Sequence, residues 1–172
     1  MPGEKRRPPF YGKYRGTVSD NADLLMLGRI RAKIPDILGD KESGWALPCL
    51  PYFGKGVGLF LIPPTGASVW MEFEYGDPDR PIWTGGFWDK ATDLPVQGAP
   101  PLLPDQKVLK TDSCTITLDD TPGIGGITIE TKSGVSAKID MSVDGIEISC
   151  AKGKVKIGPV NVSVNDGALE VI

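Results

Sequence analysis

The chain is 172 residues long, 40% apolar and 24% charged, with a formal net charge of -3. That balance gives no overall pull toward nucleic acid or an anionic membrane, and the length allows one or two small domains. There is no histidine, which removes Ser–His and Cys–His catalysis and argues against a transition-metal site. Cys49, Cys114 and Cys150 are odd in number and far apart, so they make no disulfide framework. No apolar run approaches the ~20 residues of a membrane span. The segment Glu4 to Pro9 lacks the apolar core of a signal peptide, so synthesis in the cytosol is expected.

Residues 1–13 read as an N-terminal arm. Lys5, Arg6, Arg7 and Lys13 are basic, and Pro8-Pro9 keeps the backbone extended. The arm is either a tether to an acidic surface or a solvated end.

All 13 aromatic residues lie between Phe10 and Trp88, which marks residues 14–88 as a domain with a thick core. Strands are expected at 14–19, 29–34, 45–52, 56–62, 68–75 and 82–88. In the second, Ile30, Ala32 and Ile34 face inward and Arg29, Arg31 and Lys33 outward, and Pro35 ends it. Pro48 and Pro51 place the third at an edge or break it. In the fifth, Val69, Met71, Phe73 and Tyr75 share one face and Trp70, Glu72 and Glu74 the other. Gly76-Asp77-Pro78-Asp79 is a turn. Several short strands without a long helix point to a small Greek-key barrel of the OB type.

Residues 89–111, with Pro95, Pro100, Pro101 and Pro104, form an extended, stiff connector. From Asp112 to Ile172 the pattern changes. Short apolar–polar alternations follow one another with glycines between them. Period two places Ile116 and Leu118 on one face, then Ile127 and Ile129, then Ile139, Met141 and Val143. The same face continues through Ile146, Ile148, Val155, Ile157, Val162, Val164, Leu169 and Val171. By parity Cys114 and Cys150 join them as small core hydrophobes. Lys152, Lys154 and Lys156 fall on the wet face. The glycine-rich stretch Gly123-Ile124-Gly125-Gly126 is a wide turn, not a phosphate loop, because no Lys-Ser/Thr pair or helix follows it.

A single layer of strands leaves two edges and an apolar face open. A further copy of the chain closes both. Three copies wound about one axis would bury every aliphatic face in a narrow core. The absence of aromatics beyond Asp112 fits so thin an interior. The alternative is half of an ordinary β-sandwich packed on the N-terminal domain.

These stretches resemble a known family. Gly28-Arg29-Ile30-Arg31-Ala32-Lys33-Ile34-Pro35, Ser43-Gly44-Trp45-Ala46, Gly56-Val57-Gly58 and Pro63-Pro64-Thr65-Gly66 resemble the OB domain of contractile-tail baseplate spikes. So do Val69-Trp70-Met71-Glu72-Phe73-Glu74 and the turn through Gly85. Ile116 to Gly123, Gly126 to Thr131 and Val162 to Val171 resemble the tail region of the same proteins. The family includes phage baseplate spikes and type VI secretion spikes.

The resemblance implies an all-β chain, with an OB-fold barrel at 14–88 and an intertwined trimeric β-helix at 112–172. It implies a structural protein, not an enzyme, with no cofactor, catalytic residue or metal. The homotrimer would sit in a virion tail baseplate or an equivalent injection particle. It would pierce the target envelope, touching the membrane transiently, when the sheath contracts. Because the barrel starts near residue 14, a separate hub protein is expected at the OB end. Without histidines for a metal-binding tip, a separate small tip protein is expected near Ile172.

Two other functions compete. OB barrels bind single-stranded nucleic acid with aromatic platforms and a basic groove. Trp70, Trp83 and Trp88 with Arg29, Arg31 and Lys33 could supply these, but Glu72 and Glu74 share the face of Trp70. Those two glutamates could also be a glycosidase-like carboxylate pair. No further polar cluster supports that chemistry.

Overall fold

The computed structural model describes residues 8–95, 105–123, 125–131, 137–151 and 153–171. Lys5, Arg6, Arg7, Pro100, Pro101, Pro104, Ile124, Val135, Lys152 and Ile172 lie outside the described residues. The chain is all-β and divides into two compact units, Met1–Asp93 and Leu94–Ile172.

The first unit is an OB-like sheet. Its strands are β1 (Tyr14–Asp20), β2 (Arg31–Lys33), β3 (Leu47–Pro48), β6 (Ser68–Phe73) and β7 (Pro81–Gly86), in the order β2-β1-β6-β7-β3. Neighbours are antiparallel except β3, which runs parallel to β7. An isolated bridge from Ile30 to Ala46 brings the segment before β3 back to β2, curling the sheet toward closure. A small hairpin, β4 (Phe53–Gly54) with β5 (Val57–Gly58), stands apart from it.

Alternation sets the core. Val69 and Met71 are fully buried on β6, Phe73 nearly so, while Trp70 and Glu72 between them stay partly open. Ile30, Ala32 and Ile34 are fully buried as their pattern predicts. Pro35 then opens a one-turn helix, α1 (Pro35–Leu38), at the position where its missing N–H costs nothing.

The strands after Pro35 are shorter than expected. The run from Trp45 to Tyr52 keeps only Leu47–Pro48 in the sheet, because Pro48 and Pro51 cannot donate to a ladder. The expected strand at 56–62 contributes only Val57–Gly58. Tyr75 and Glu74 are not on the β6 ladder. The chain turns into a short 3-10 segment there, Tyr75 has φ 54° and its ring is 80% exposed. The end of the arm is tied down, since Phe10 donates its N–H to Gly76 (2.9 Å) and its ring meets Tyr14 and Phe73. Gly76, at φ +74°, must be glycine, because a Cβ would lie 2.7 Å from Pro9.

The second unit is one meander. β8 (Gln106–Lys110), β9 (Cys114–Asp119), β10 (Gly126–Thr131), β11 (Ala137–Ser142) and β12 (Gly145–Cys150) follow in order. β13 (Gly153–Ile157), β14 (Val162–Val164) and β15 (Leu169–Val171) complete an eight-stranded sheet in which every strand pairs antiparallel with its sequence neighbours. β8 is a strand that the sequence pattern leaves in the connector. Glycine sets the tight return at β12. A Cβ on Gly145 would sit 2.1 Å from the Ile157 carbonyl.

Candidate assembly interface

Strand register in the second unit does more than pair backbones. Each directly opposed antiparallel pair carries its side chains on one side of the sheet. Following the pairs from β8 to β15 gives a column of Leu109, Ile116, Ile129, Ile139, Ile148, Val155, Val164 and Leu169. Beside it runs a second column of Leu118, Ile127, Met141, Ile146, Ile157, Val162 and Val171. Apart from the two cysteines, every expected core position falls in one of these columns except Val143. That residue sits in the two-residue turn between β11 and β12, 65% exposed. Leu109 belongs to the first column and was not among the expected positions. Its signal was weak, since Gln106, Lys107 and Lys110 surround a single Val-Leu pair.

Among the described residues nothing covers these columns. Ile139 is 36% exposed, Ile148 50% and Leu169 61%. The opposite face carries the polar side chains and is better covered, with Thr115 only 6% exposed. This is the reverse of a sheet that buries its apolar face within its own molecule. A contiguous apolar surface of this extent marks an interaction face. Cys114 and Cys150 sit on the apolar side by register and are likewise exposed, so they are not buried as small core residues within the single chain.

The polar face is organised by charge. Lys138 binds Asp140 at 2.6 Å, and Lys154 reaches both Asp166 (2.5 Å) and Glu147 (3.7 Å). Bonding to Asp166, with further help from Glu147, raises the Lys154 pKa. Thr121, by side-chain and backbone hydrogen bonds, lowers that of Asp119, with Gln106 adding to it. A groove of about 360 Å³ on this face is lined by Thr115, Thr117, Thr128, Glu130, Lys138 and Asp140, among others. Among the described residues no group of three or more Cys, Asp or Glu is placed to hold a metal ion.

In the first unit most of the residues that would make a nucleic-acid groove are engaged elsewhere, while Trp88 and Lys33 are exposed. Trp83 is 5% exposed and donates its indole N–H to the Gly28 carbonyl at 3.1 Å. The Trp70 ring packs at a tilt against Phe87, with centroids 4.5 Å apart and the Arg15 guanidinium over both. Arg29 binds Asp23 at 2.6 Å and lies over Trp45, as does Arg31. The two glutamates do not form a carboxylate pair. Glu72 binds Lys13 at 2.7 Å, and Glu74 lies in the 3-10 turn, 3.8 Å from Arg80.

Residues 14–88 match the type VI secretion system/phage-baseplate injector OB domain, and residues 106–170 match the phage baseplate V C-terminal trimerisation domain. An injector OB domain followed by a trimerisation domain defines a spike-class protein, and the second match supports a homotrimer. The chain belongs to the phage-baseplate and type VI secretion spike family. It is 31% identical over 147 residues to the type VI secretion system spike protein VgrG5 of Pseudomonas aeruginosa, covering 77% of this chain and 17% of that protein. It is 34% identical over 93 residues to the spike protein VgrG3 of Vibrio cholerae, covering 50% of this chain and 9% of that one. The spike protein VgrG4b of Pseudomonas aeruginosa matches at 34% over 58 residues, covering 34% of this chain and 7% of the relative. The chain thus spans less than a fifth of the length of these relatives.

Proposed function

We propose that the protein is the structural central spike of a contractile injection baseplate, in a virion tail or the equivalent secretion apparatus. Its organisation would be an arm at 1–13, an OB barrel at 14–88, a connector at 89–111 and a spike at 112–172. Three copies braid their second units into a β-helix whose dry interior is built from the two aliphatic columns. With strands ~4.7 Å apart, eight of them give a shaft on the order of 40 Å. Braided chains resist forced unfolding because none can leave alone. That suits a needle driven through a target envelope by sheath contraction.

The observation that carries this reading is the pair of aliphatic columns, one from β8 and one from β9 through β15, left uncovered by the described residues. The family relationship adds the setting. A hub protein at the OB end, a small tip protein at the far end of the shaft, and a brief contact with the target membrane complete the assembly. The role is structural, without catalysis, cofactor or nucleic acid.

Light scattering on the purified chain tests it. A mass threefold the 18.4 kDa of one chain is expected, together with a band that resists SDS until heated. A monomer at micromolar concentration would overturn the proposal.

A further inference from the structure

We propose that the loop from Asp23 to Arg29 in the OB unit is a docking ridge for a second copy of this chain. The inference deepens the trimeric reading above and rests on it. Leu24, Leu25, Met26 and Leu27 are 93%, 63%, 83% and 55% exposed. Four consecutive apolar side chains in water form an unfavourable surface unless something covers them.

The loop is built, not slack. The Asp23 side chain is only 4% exposed, and its carboxylate accepts the backbone N–H groups of Leu25 (3.0 Å), Leu27 (2.9 Å) and Arg29 (3.3 Å). It also takes a guanidinium N–H of Arg29 at 2.6 Å. One buried carboxylate therefore fixes the whole crown. A neighbouring loop extends the ridge. The Cβ position of Gly28 lies 3.0 Å from Ile62 and 3.4 Å from Phe60, and Asn21 donates to the Pro63 carbonyl at 3.1 Å. Phe60 is 66% exposed and Leu61 50%.

Topology argues for the occupant. Thr17 of β1 pairs with Ser68 at the start of β6, and Val69 pairs with Gly86 at the end of β7. The end of β1, where this loop begins, and the exit of the chain after β7 therefore share one end of the OB sheet. From that exit the chain continues to the region matching a trimerisation domain. Residues 94–105 span at most about 40 Å when fully extended. Copies joined through such tethers meet at an effective concentration on the order of millimolar. A sibling chain is the partner always within reach. The four-residue crown carries no charge, so covering it strips no ion of water.

Photo-crosslinking of the purified full-length chain tests this. A photoreactive residue replaces Met26 in one sample. In the other it replaces Tyr75, which is 80% exposed and follows the opposite end of β6. The Met26 probe is expected to give covalent dimers and trimers at least about tenfold above the Tyr75 probe. Equal yields, or only monomer bands from a sample whose scattering mass is threefold that of the chain, would overturn the ridge while leaving the trimer intact. Capture of only a different protein in cell extract would also overturn it. A scattering mass of one chain would instead remove the trimeric reading, and this inference with it.

Discussion

The two units use the same kind of residue to opposite ends. In the OB unit, Ile30, Ile34, Val69 and Met71 are shielded completely by their own chain. In the meander, Ile116, Ile129, Ile139 and Ile148 stand in register and remain more than a third exposed. The OB sheet curls on itself and receives Trp83 and Phe73 as bulk. The meander has no aromatic residue and no second layer within the described residues. The first unit therefore has a complete core as a single chain. The second leaves its aliphatic face open, which on the proposed reading is one wall of a core shared between copies.

The sharpest way to break this contrast is a charge in the middle of the open wall. Ile139→Asp places a carboxylate in the first column, between Ile129 and Ile148. Burying it in each of three copies costs several kcal/mol per site, so assembly should be lost. Light scattering is expected to give the single-chain mass, with the near-ultraviolet signal of the OB tryptophans retained. A normal trimer from this variant would place the columns on the wrong side. Ending the chain after Lys90 should have a comparable effect. The OB sheet stays folded, and association as tight as that of the whole chain would show that the meander is not what holds the copies together.

Next in size is a pair of cavity substitutions, one on each side of the contrast. Met71→Ala and Ile148→Ala each remove buried or buriable methylenes, worth about 2–5 kcal/mol where the site is closed. For Met71→Ala the loss should appear as a lower melting temperature that does not change with protein concentration. For Ile148→Ala it should grow on dilution, because assembly and folding are one equilibrium there. Denaturation at two concentrations tenfold apart separates the cases. Concentration dependence at Met71 but not at Ile148 would reverse the assignment of cores.

What the sequence showed follows the same division. Fourteen of the residues that period-two alternation puts on one face stand opposite one another in the strand register, because a strand's faces depend only on parity and not on what covers them. The Ile30-Ala32-Ile34 stripe was legible for the same reason. Leu109 was not, since two apolar residues among Gln106, Lys107 and Lys110 carry no visible period. Tyr75 failed because the chain leaves the strand through a left-handed residue, which parity cannot anticipate. The Asp23–Arg29 staple depends on a loop folding back over six residues. An aspartate followed by four apolar residues and Gly28 was its only local hint.

That staple gives a smaller effect with a defined pH dependence. Arg29 is the largest influence holding the Asp23 carboxyl well below the usual carboxylate range, and the loop N–H groups add to it. The folded pKa lies below the unfolded one, so the stabilisation is complete above the ordinary carboxylate pKa of ~3.9. It is lost as pH falls through the lowered folded value. Asp23→Asn should therefore melt below wild type at neutral pH, and the gap should narrow only below about pH 4. A gap unchanged down to strongly acidic pH would mean that ionisation of Asp23 does not hold the loop.

The smallest expected effect is on the polar face of the meander. Lys154 joins Glu147 and Asp166, but all three side chains remain about a third or more open to water. Exposed pairs of this kind are screened by salt and contribute little. Lys154→Ala should leave the assembled mass unchanged and shift the melting temperature only slightly, with the shift fading in high salt. If this substitution dissolved the assembly as Ile139→Asp is expected to, the charged face would be the one turned toward the other copies.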